Sequence, residues 1–288
     1  MKYQIRVAAF VAMSFIVSVL SSCSKNDDKD TTPTDNTPKK TAVMLSTSAT
    51  FGKVLTDSLG KSLYFFSLDA DGKSACTGGC LAAWPVFYAA DLTLDTTLKA
   101  TDFGVITRAD GSKQNTYKGW PLYYYAADAK AGDITGDKVG DIWYVAKPDY
   151  TVMVAKFQLT GNTGTQYKSD LTPGVEATQF ITDAYGRTLY AFAPDKNGKN
   201  TYTKEDFSNN ATWPIYELAD ITNVPSILSK SDFTKVTVFT KTQLAYKGWP
   251  LYYFGPDAQI RGNTKGVDVP SPGVWPYVNA STTVAPAQ

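Results

Sequence analysis

The sequence contains no histidine, and this absence excludes several classes of chemistry. Without an imidazole the chain cannot build a Ser-His-Asp or Cys-His nucleophile, a histidine-ligated zinc or copper site, or a histidine-ligated haem. We therefore predict no cofactor and no metal site, and we name no catalytic residue. Basic (28) and acidic (27) residues are nearly balanced, which gives no reason to expect nucleic acid as a partner.

Long apolar segments are also scarce, and the one near the N-terminus indicates a lipoprotein signal peptide over residues 1–22. Lys2 and Arg6 precede an apolar run of about 14 residues, which ends in Leu-Ser-Ser before Cys23. A transmembrane anchor is the alternative, but the run is shorter than the roughly 20 residues that cross a bilayer. We predict that Cys23 carries the lipid and attaches the chain to a membrane.

Residues 23–40 contain few apolar side chains, so we expect a disordered tether. Its start, Lys25-Asn-Asp-Asp-Lys-Asp30, resembles the acidic export signal of Bacteroidetes lipoproteins. The alternative is an ordinary charged tether. The resemblance implies a lipid-anchored protein of the outer membrane, with the cell surface favoured over the periplasmic face.

Only two cysteines remain after Cys23, and they stand close together in Cys76-Thr-Gly-Gly-Cys80. Because extracytoplasmic compartments are oxidising, we predict a structural disulfide between Cys76 and Cys80. A redox pair would have two intervening residues rather than three, and covalent haem attachment would need a histidine after the second cysteine.

The chain is internally duplicated. The octapeptide Tyr-Lys-Gly-Trp-Pro-Leu-Tyr-Tyr occurs at residues 117–124 and again at 246–253, and the same offset relates Trp84-Pro85 to Trp213-Pro214. A repeat of this length defines the organisation of the fold. The predicted parts are a first half (41–148) and a second half (149–288), the latter with a first strand at 151–159 and a loop at 161–174.

A shorter pattern, Tyr-x-aromatic-x-x-Asp, occurs twice in each half. Tyrosine and the aromatic residue project from the same face of a strand, and the aspartate follows where a carboxylate can set a turn. The four copies are Tyr64, Phe66 and Asp69; Tyr123, Tyr125 and Asp128; Tyr190, Phe192 and Asp195; and Tyr252, Phe254 and Asp257.

Strand-forming residues between Gly, Pro, Asp and Asn turns indicate an all-β fold. Four hairpin-based repeats in two pseudosymmetric halves favour a single unit, either barrel-like or a small propeller. Two tandem β-sandwich-like domains are the alternative.

These motifs, the Cys-x-x-x-Cys ahead of Trp84-Pro85 and the lipoprotein signal together resemble bacterial secreted-repeat lipoproteins of unknown function. The resemblance covers nearly all of the chain after the tether, and it implies no activity. The second half departs from the pattern because it lacks the cysteine pair. The disulfide is then a local device rather than a requirement of every unit.

Two interpretations of the repeated residues remain open. Buried tyrosines and turn-setting aspartates would be structural, whereas repeated aromatic faces could stack on a sugar, with Trp120 and Trp249 as the candidate stacking residues. The turns at Asp69 and Asp195 faintly resemble calcium loops, but they lack the 12-residue pattern and its closing glutamate.

The sequence favours a non-catalytic binding module of the cell envelope, whose partner is a glycan or an envelope protein. An extracytoplasmic enzyme that uses paired carboxylates on a polymer is one alternative. An accessory to extracytoplasmic electron transfer, suggested by 18 tyrosines and 6 tryptophans, is another.

Overall fold

The computed structural model describes residues 42–288. The predicted signal peptide, the lipidation site Cys23 and the tether lie outside the described residues. Within residues 42–288, no helix has the length and apolar character needed to cross a membrane. Short strands, one four-residue α-helix and several 3-10 turns make up the secondary structure, which confirms the all-β prediction.

The strands are short throughout the described chain. They are β1 (Ala42–Ser48), β2 (Gly52–Asp57), β3 (Tyr64–Phe66), β4 (Thr93–Leu94), β5 (Phe103–Thr107), β6 (Lys113–Tyr117), β7 (Trp120–Pro121), β8 (Trp143–Val145), β9 (Val152–Thr160), β10 (Gln166–Tyr167), β11 (Ala177–Asp183), β12 (Phe233–Val238), β13 (Lys241–Tyr246) and β14 (Trp249–Pro250). Helix α1 covers Cys80–Ala83, and 3-10 turns lie at Ala100–Asp102, Val139–Asp141, Ser208–Ala211, Lys230–Asp232, Gly255–Asp257 and Lys265–Asp268.

The first half contains three small sheets. Strand β1 pairs antiparallel with β2 and parallel with β4, β3 pairs with β8, and β6 lies between β5 and β7. Strand β2 ends at Asp57, whose Oδ1 accepts the backbone N–H groups of Leu59 and Lys61, each at 2.9 Å. This carboxylate fixes the turn that leads the chain into β3.

The second half repeats this arrangement. Strand β9 pairs with β11 as β1 pairs with β2, and β13 lies between β12 and β14. A parallel bridge between Tyr150 and Asn223 takes the place of the β1–β4 pair, whereas β10 pairs antiparallel with the other end of β9. A bridge between Tyr190 and Tyr277 replaces the β3–β8 pair, and Asp183 Oδ1 accepts the N–H groups of Tyr185 and Arg187, each at 2.9 Å. The two halves therefore agree with the predicted pseudosymmetry. Strand β9 starts and ends one residue later than predicted, and β10 lies within the predicted loop.

The five sheets, of two or three strands each, do not join into a closed barrel over residues 42–288. The strands β7 and β14 of the octapeptide have only two residues each. The sheets are joined by single backbone bridges, such as Tyr64–Tyr123 and Tyr190–Tyr252, and by side-chain packing.

The packing is continuous across the two halves, because one core cluster includes Phe65 and Trp120 from the first half and Met153 from the second. Arg261 of the second half also reaches into the first. Its Nε donates to the carbonyl of Ala70 at 2.8 Å, and its guanidinium lies 4.5 Å from the ring centroid of Trp120. Residues 42–288 are therefore one domain rather than two separate sandwiches.

Candidate functional site

The four Tyr-x-aromatic-x-x-Asp motifs interlock in crossed pairs. In each half, the tyrosine of one motif donates to the aspartate of the other motif rather than to its own. The hydroxyl-to-Oδ2 distances are 2.6 Å for Tyr64–Asp128, 2.7 Å for Tyr123–Asp69, 2.7 Å for Tyr190–Asp257 and 2.7 Å for Tyr252–Asp195. The repeated motif is thus a reciprocal clasp between two consecutive units.

Backbone pairing brings the motifs of the first half together. Tyr64 and Tyr123 exchange two backbone hydrogen bonds, of 2.8 and 3.1 Å, across an antiparallel bridge. The two segments run in opposite directions from an antiparallel bridge. The aspartate that follows each tyrosine by five residues therefore lies beside the tyrosine of the other motif. Tyr190 and Tyr252 form the same bridge in the second half, with two bonds of 2.9 Å.

The second carboxylate oxygen of each motif aspartate sets a turn, as the sequence predicted. The Oδ1 atoms accept backbone N–H groups from Ala75 at 2.7 Å, Thr135 at 2.9 Å, Thr201 at 2.7 Å and Lys265 at 2.8 Å. No group of three or more Cys, Asp or Glu side chains within residues 42–288 converges as metal ligands would. The turns that faintly resembled calcium loops use their first aspartates, Asp69 and Asp195, in these clasps.

Burial controls the protonation of the clasps. It raises the pKa of Asp69 to about 7 and that of Asp257 to about 6, although accepted hydrogen bonds oppose both shifts. Burial also raises the pKa of the Asp195 carboxyl and of the tyrosine hydroxyls of all four pairs. The tyrosines therefore remain donors across the physiological pH range.

The aromatic residues of each half's two motifs enclose two stacked tryptophans. Trp84 and Trp143 lie face to face with ring centroids 3.8 Å apart, and Trp213 and Trp275 lie 3.7 Å apart. The full stacks are Phe66–Trp143–Trp84–Tyr125 and Phe192–Trp275–Trp213–Phe254. The aromatic position of the motif therefore serves packing.

Several residues of the duplicated octapeptide have structural roles. Lys118-Gly119 and Lys247-Gly248 form tight turns in which all four residues have φ between +48° and +83°. Left-handed pairs of this kind suit two-residue hairpin turns. Downstream, Tyr124 and Tyr253 donate to the buried turn carboxylates of Asp57 at 3.0 Å and Asp183 at 3.1 Å. The octapeptide is thus one hairpin used twice.

The predicted disulfide is present and joins Cys76 to Cys80, the first residue of α1. In the second half Tyr202 and Asn209 occupy these positions. The equivalence of Cys80 and Asn209 follows from the backbone: Trp84 N–H donates to the carbonyl of Cys80, and Trp213 N–H donates to the carbonyl of Asn209. There the Asn209 amide donates to the Tyr202 carbonyl at 2.7 Å. A side-chain hydrogen bond thus replaces the covalent link.

The two tryptophans predicted to stack on a ligand differ in exposure. Trp120 is fully buried beneath Arg261, and its Nε1 donates to the carbonyl of Ala184 at 3.1 Å. It presents no face to a ligand, so its role is packing between the halves. Trp249 is half-buried, and its Nε1 donates to the carbonyl of Thr283 at 2.9 Å.

A cleft of about 470 Å³ opens in the second half, beside the Tyr190–Asp257 clasp. This volume lies within the usual range of small-molecule sites. The walls that matter for binding are the apolar Pro214, Ile215 and Phe254 and the polar Arg187, Asn210 and Gln259. The cleft therefore combines an apolar surface with donors and acceptors.

The first half has the same cleft in a smaller form, of about 210 Å³. There Lys61 extends its ammonium to the backbone carbonyl of Asp128. The corresponding Arg187 folds aside, because Asp183 binds its guanidinium and the ring of Tyr253 lies 4.8 Å from it. The paired wall positions are Lys61/Arg187, Ser62/Thr188, Pro85/Pro214, Tyr124/Tyr253, Tyr125/Phe254 and Asp128/Asp257.

Two further features distinguish the second-half cleft. The Oδ1 atom of Asn210 is buried and has no hydrogen-bond partner among the described residues, which is a costly state for a polar atom. Ala258 and Gln259 both have left-handed φ values, of 54° and 58°, whereas their first-half counterparts Ala129 and Lys130 do not. Strained backbone of this kind concentrates at functional sites.

Sequence reasoning did not identify Trp143, Trp275, Arg261 or Asn210. The tryptophan pair could have been found from the offset of 132 that relates Trp143 to Trp275. Arg261 and Asn210 have no repeated equivalent, since Ala131 and Leu81 occupy the matching positions. Comparing the two halves of the sequence shows that Arg261 and Asn210 differ from their counterparts, but it does not show what they do.

The geometry defines a class of protein: an all-β domain of four units that are clasped in pairs by buried tyrosines and aspartates. Residues 46–88 and 104–147 match a family described as a secreted repeat of unknown function, so the first half consists of two copies of that repeat. Each matched stretch contains one complete motif, and the clasp joins one copy to the next. No curated protein and no solved structure matches the chain.

The family description indicates a location outside the cytoplasm. The second half is a structural duplicate of the matched half, because it repeats the clasps, the ring stack and the octapeptide hairpin.

Proposed function

We propose that this protein is a non-catalytic binding module of the cell envelope that binds a glycan in the second-half cleft. The observation that carries the proposal is the unpartnered Oδ1 of Asn210 in the wall of the cleft. A rotation of the Asn210 side chain would bring this acceptor to the cleft, where a sugar hydroxyl can donate to it and remove the cost of its isolation. Pro214, which is partly exposed, supplies an apolar surface on which the C–H face of a sugar ring can pack.

The contrast between the two halves supports this assignment. In the first half Lys61 spans the cleft, and Leu81 stands where the second half has Asn210. In the second half Arg187 is about one-third exposed and borders the open space, so it can donate to ring or substituent oxygens. The first half thus has a smaller cleft that a lysine crosses, and the second half has a larger one.

The test is the substitution Asn210→Leu, which installs the residue of the first half. We expect it to weaken glycan binding by roughly 5- to 100-fold, because one hydrogen bond to a buried acceptor is lost. The same change removes an unsatisfied polar atom, so the melting temperature should stay constant or rise. A printed oligosaccharide array probed with the chain from Thr41 onward identifies the ligand, and titration calorimetry measures the loss.

Tyr125→Phe is the matched control, since it gives the first-half cleft the residue that the second half has at Phe254. It should leave binding unchanged. Equal affinity for parent and Asn210→Leu would contradict the assignment of the cleft. Absence of any glycan signal, together with capture of an envelope protein, would replace the glycan with a protein partner.

We also propose that the protein is a lipoprotein of the outer membrane, anchored by a lipid on Cys23 and exposed at the cell surface. Cys23→Ala is expected to move the protein from the membrane fraction to the soluble extracytoplasmic fraction, because a lipid chain supplies the membrane affinity. Detection by blot in both fractions checks the anchor. Protease digestion of intact cells distinguishes the outer face, where the anchored protein is cut, from the periplasmic face.

A further inference from the structure

The two octapeptide hairpins share their inner contacts but differ in what covers their outer side. In both, the lysine of the turn donates to a backbone carbonyl near the end of its own half. Lys118 Nζ donates to the carbonyl of Pro148 at 3.0 Å, and Lys247 Nζ donates to that of Ala280 at 2.9 Å. Pro148 and Ala280 are equivalent, since both follow the stacked tryptophan by five residues. The hairpins themselves are therefore interchangeable.

The second half covers the outer side of the first hairpin. Trp120 Nε1 donates to the carbonyl of Ala184 at 3.1 Å, and Arg261 Nη1 donates to the carbonyl of Lys118 at 3.4 Å. Arg261 also lies over the Trp120 ring. The tryptophan N–H and the lysine carbonyl are thus the two groups through which this hairpin holds the next half.

On the second hairpin the same two groups are bound by residues 281–288, the C-terminal tail. Trp249 Nε1 donates to the carbonyl of Thr283 at 2.9 Å, and the carbonyl of Lys247 accepts the N–H of Ala285 at 2.9 Å. The tail is also held by Asn197, whose N–H donates to the carbonyl of Pro286 at 2.8 Å. The tail therefore occupies the place that a following half would take.

We propose that the C-terminal tail is a cap over a repeat-docking surface, and that this surface takes the first half of a second copy of the chain when the cap is displaced. Repeat proteins require caps at terminal units, because an uncovered docking face associates. The contact would be head-to-tail, so it would extend into chains rather than close as a twofold dimer.

The first half carries the equivalent of the loop that docks. In the second half Gly262 N–H donates to the carbonyl of Gly186 at 3.0 Å, which places Arg261 over Trp120. In the first half Gly132 N–H donates to the carbonyl of Gly60 at 2.9 Å, and Ala131, the counterpart of Arg261, is exposed.

Ala131 lacks the guanidinium that Arg261 places on Trp120, so contact between copies should be weaker than contact between halves. The tail also competes from the same chain, at an effective concentration in the millimolar range. Both effects predict that the intact chain is monomeric and that association appears after the cap is removed.

The experiment compares the chain from Thr41 onward with a version that ends at Ala280, by sedimentation velocity over a range of concentrations. The capped chain should stay monomeric, and the uncapped chain should associate as concentration rises. Adding Ala131→Arg to the uncapped chain should tighten association about tenfold, because it restores the cation–π contact on Trp249. Adding Trp249→Ala should abolish association.

A folded, uncapped chain that stays monomeric even with Ala131→Arg would overturn the proposal. Association that persists unchanged after Trp249→Ala would also overturn it. If the uncapped chain does not fold, the chain with its complete tail and the substitution Ala285→Lys is used in its place. Ala285 is only 4% exposed, so a lysine there displaces the cap. The measurement needs no glycan, so its outcome is independent of the proposed ligand.

Discussion

Replacing Trp213 by alanine is expected to lower the free energy of unfolding by about 3–5 kcal/mol, the usual cost of removing a buried large aromatic side chain. Trp213 is 2% exposed and lies face to face with Trp275 at 3.7 Å. The ring of Phe254 stacks near its other face at 4.4 Å, and Tyr190 meets it edge-on at 5.5 Å. The change leaves a cavity and also loosens the tyrosine of the adjacent clasp.

Urea denaturation followed by circular dichroism measures this loss without relying on tryptophan emission. Trp249→Ala is the matched control, since it removes the same side chain from a half-buried position on the hairpin. Its cost should be clearly smaller. Equal losses for the two variants would mean that the ring stack adds nothing beyond ordinary packing of a tryptophan.

The repeat organisation could be predicted because the repeated units share identical residues at constant spacing. Four Tyr-x-aromatic-x-x-Asp patterns, an exact octapeptide and a constant offset need no structural information to be recognised. Strand formation followed from residue type, and the turn role of Asp69 followed from its place after β3. The disulfide followed from the spacing of Cys76 and Cys80 and from the expected compartment.

The crossed pairing could not be predicted, because each motif is complete in itself and nothing in Tyr64 or Asp69 shows that its partner belongs to another motif. The pairing comes from an antiparallel bridge between two tyrosines that lie about 60 residues apart in the sequence. The burial of Trp120 has a similar origin. Gly-Trp-Pro indicates a turn, but the arginine that covers the ring comes from residue 261.

The two halves of this duplicated fold differ at the segment that carries the disulfide in the first half and borders the cleft in the second. Where the first half uses a disulfide at Cys80 and an apolar Leu81, the second has Asn209 and Asn210. Asn209 restores the lost link with a hydrogen bond. The Oδ1 of Asn210 has no hydrogen-bond partner among the described residues, and Asn210 lines the cleft. The two halves thus share the clasps and the ring stacks, apart from Tyr125 in place of Phe254, and differ in the wall of the cleft.

Stability is expected to fall as the pH rises from about 5 to about 7.5. Burial raises the pKa of Asp257 to about 6 and that of Asp69 to about 7, above the value of 3.8 for a free carboxyl. Over this range the folded state binds more protons than the unfolded state, so the free energy of unfolding decreases with pH. At 1.36 kcal/mol per pKa unit, the whole shift of Asp257 corresponds to about 3 kcal/mol, and about half of this decrease falls between pH 5 and pH 7.5.

The carboxyls with lowered pKa values do not cancel this slope. The surface turn residues Asp95, Asp110, Asp170 and Asp206 have lowered pKa values because their neighbours donate hydrogen bonds to them. Their stabilising effect is lost only when the pH falls below the usual carboxyl range. The two groups of aspartates therefore act in separate pH windows, and the most stable pH should lie near 4–5.

Asp257→Asn tests the origin of the slope. Its amide imitates the protonated carboxyl: one oxygen can still accept from Lys265 N–H, and the Tyr190 hydroxyl keeps a polar neighbour. The variant should lose part of the pH dependence and should be more stable than the parent at pH 8, whereas Asp170→Asn should leave the slope unchanged. Denaturant midpoints between pH 5 and 8 measure this. A parent midpoint that is constant or rises would show that the buried clasps hold no extra proton in the folded state.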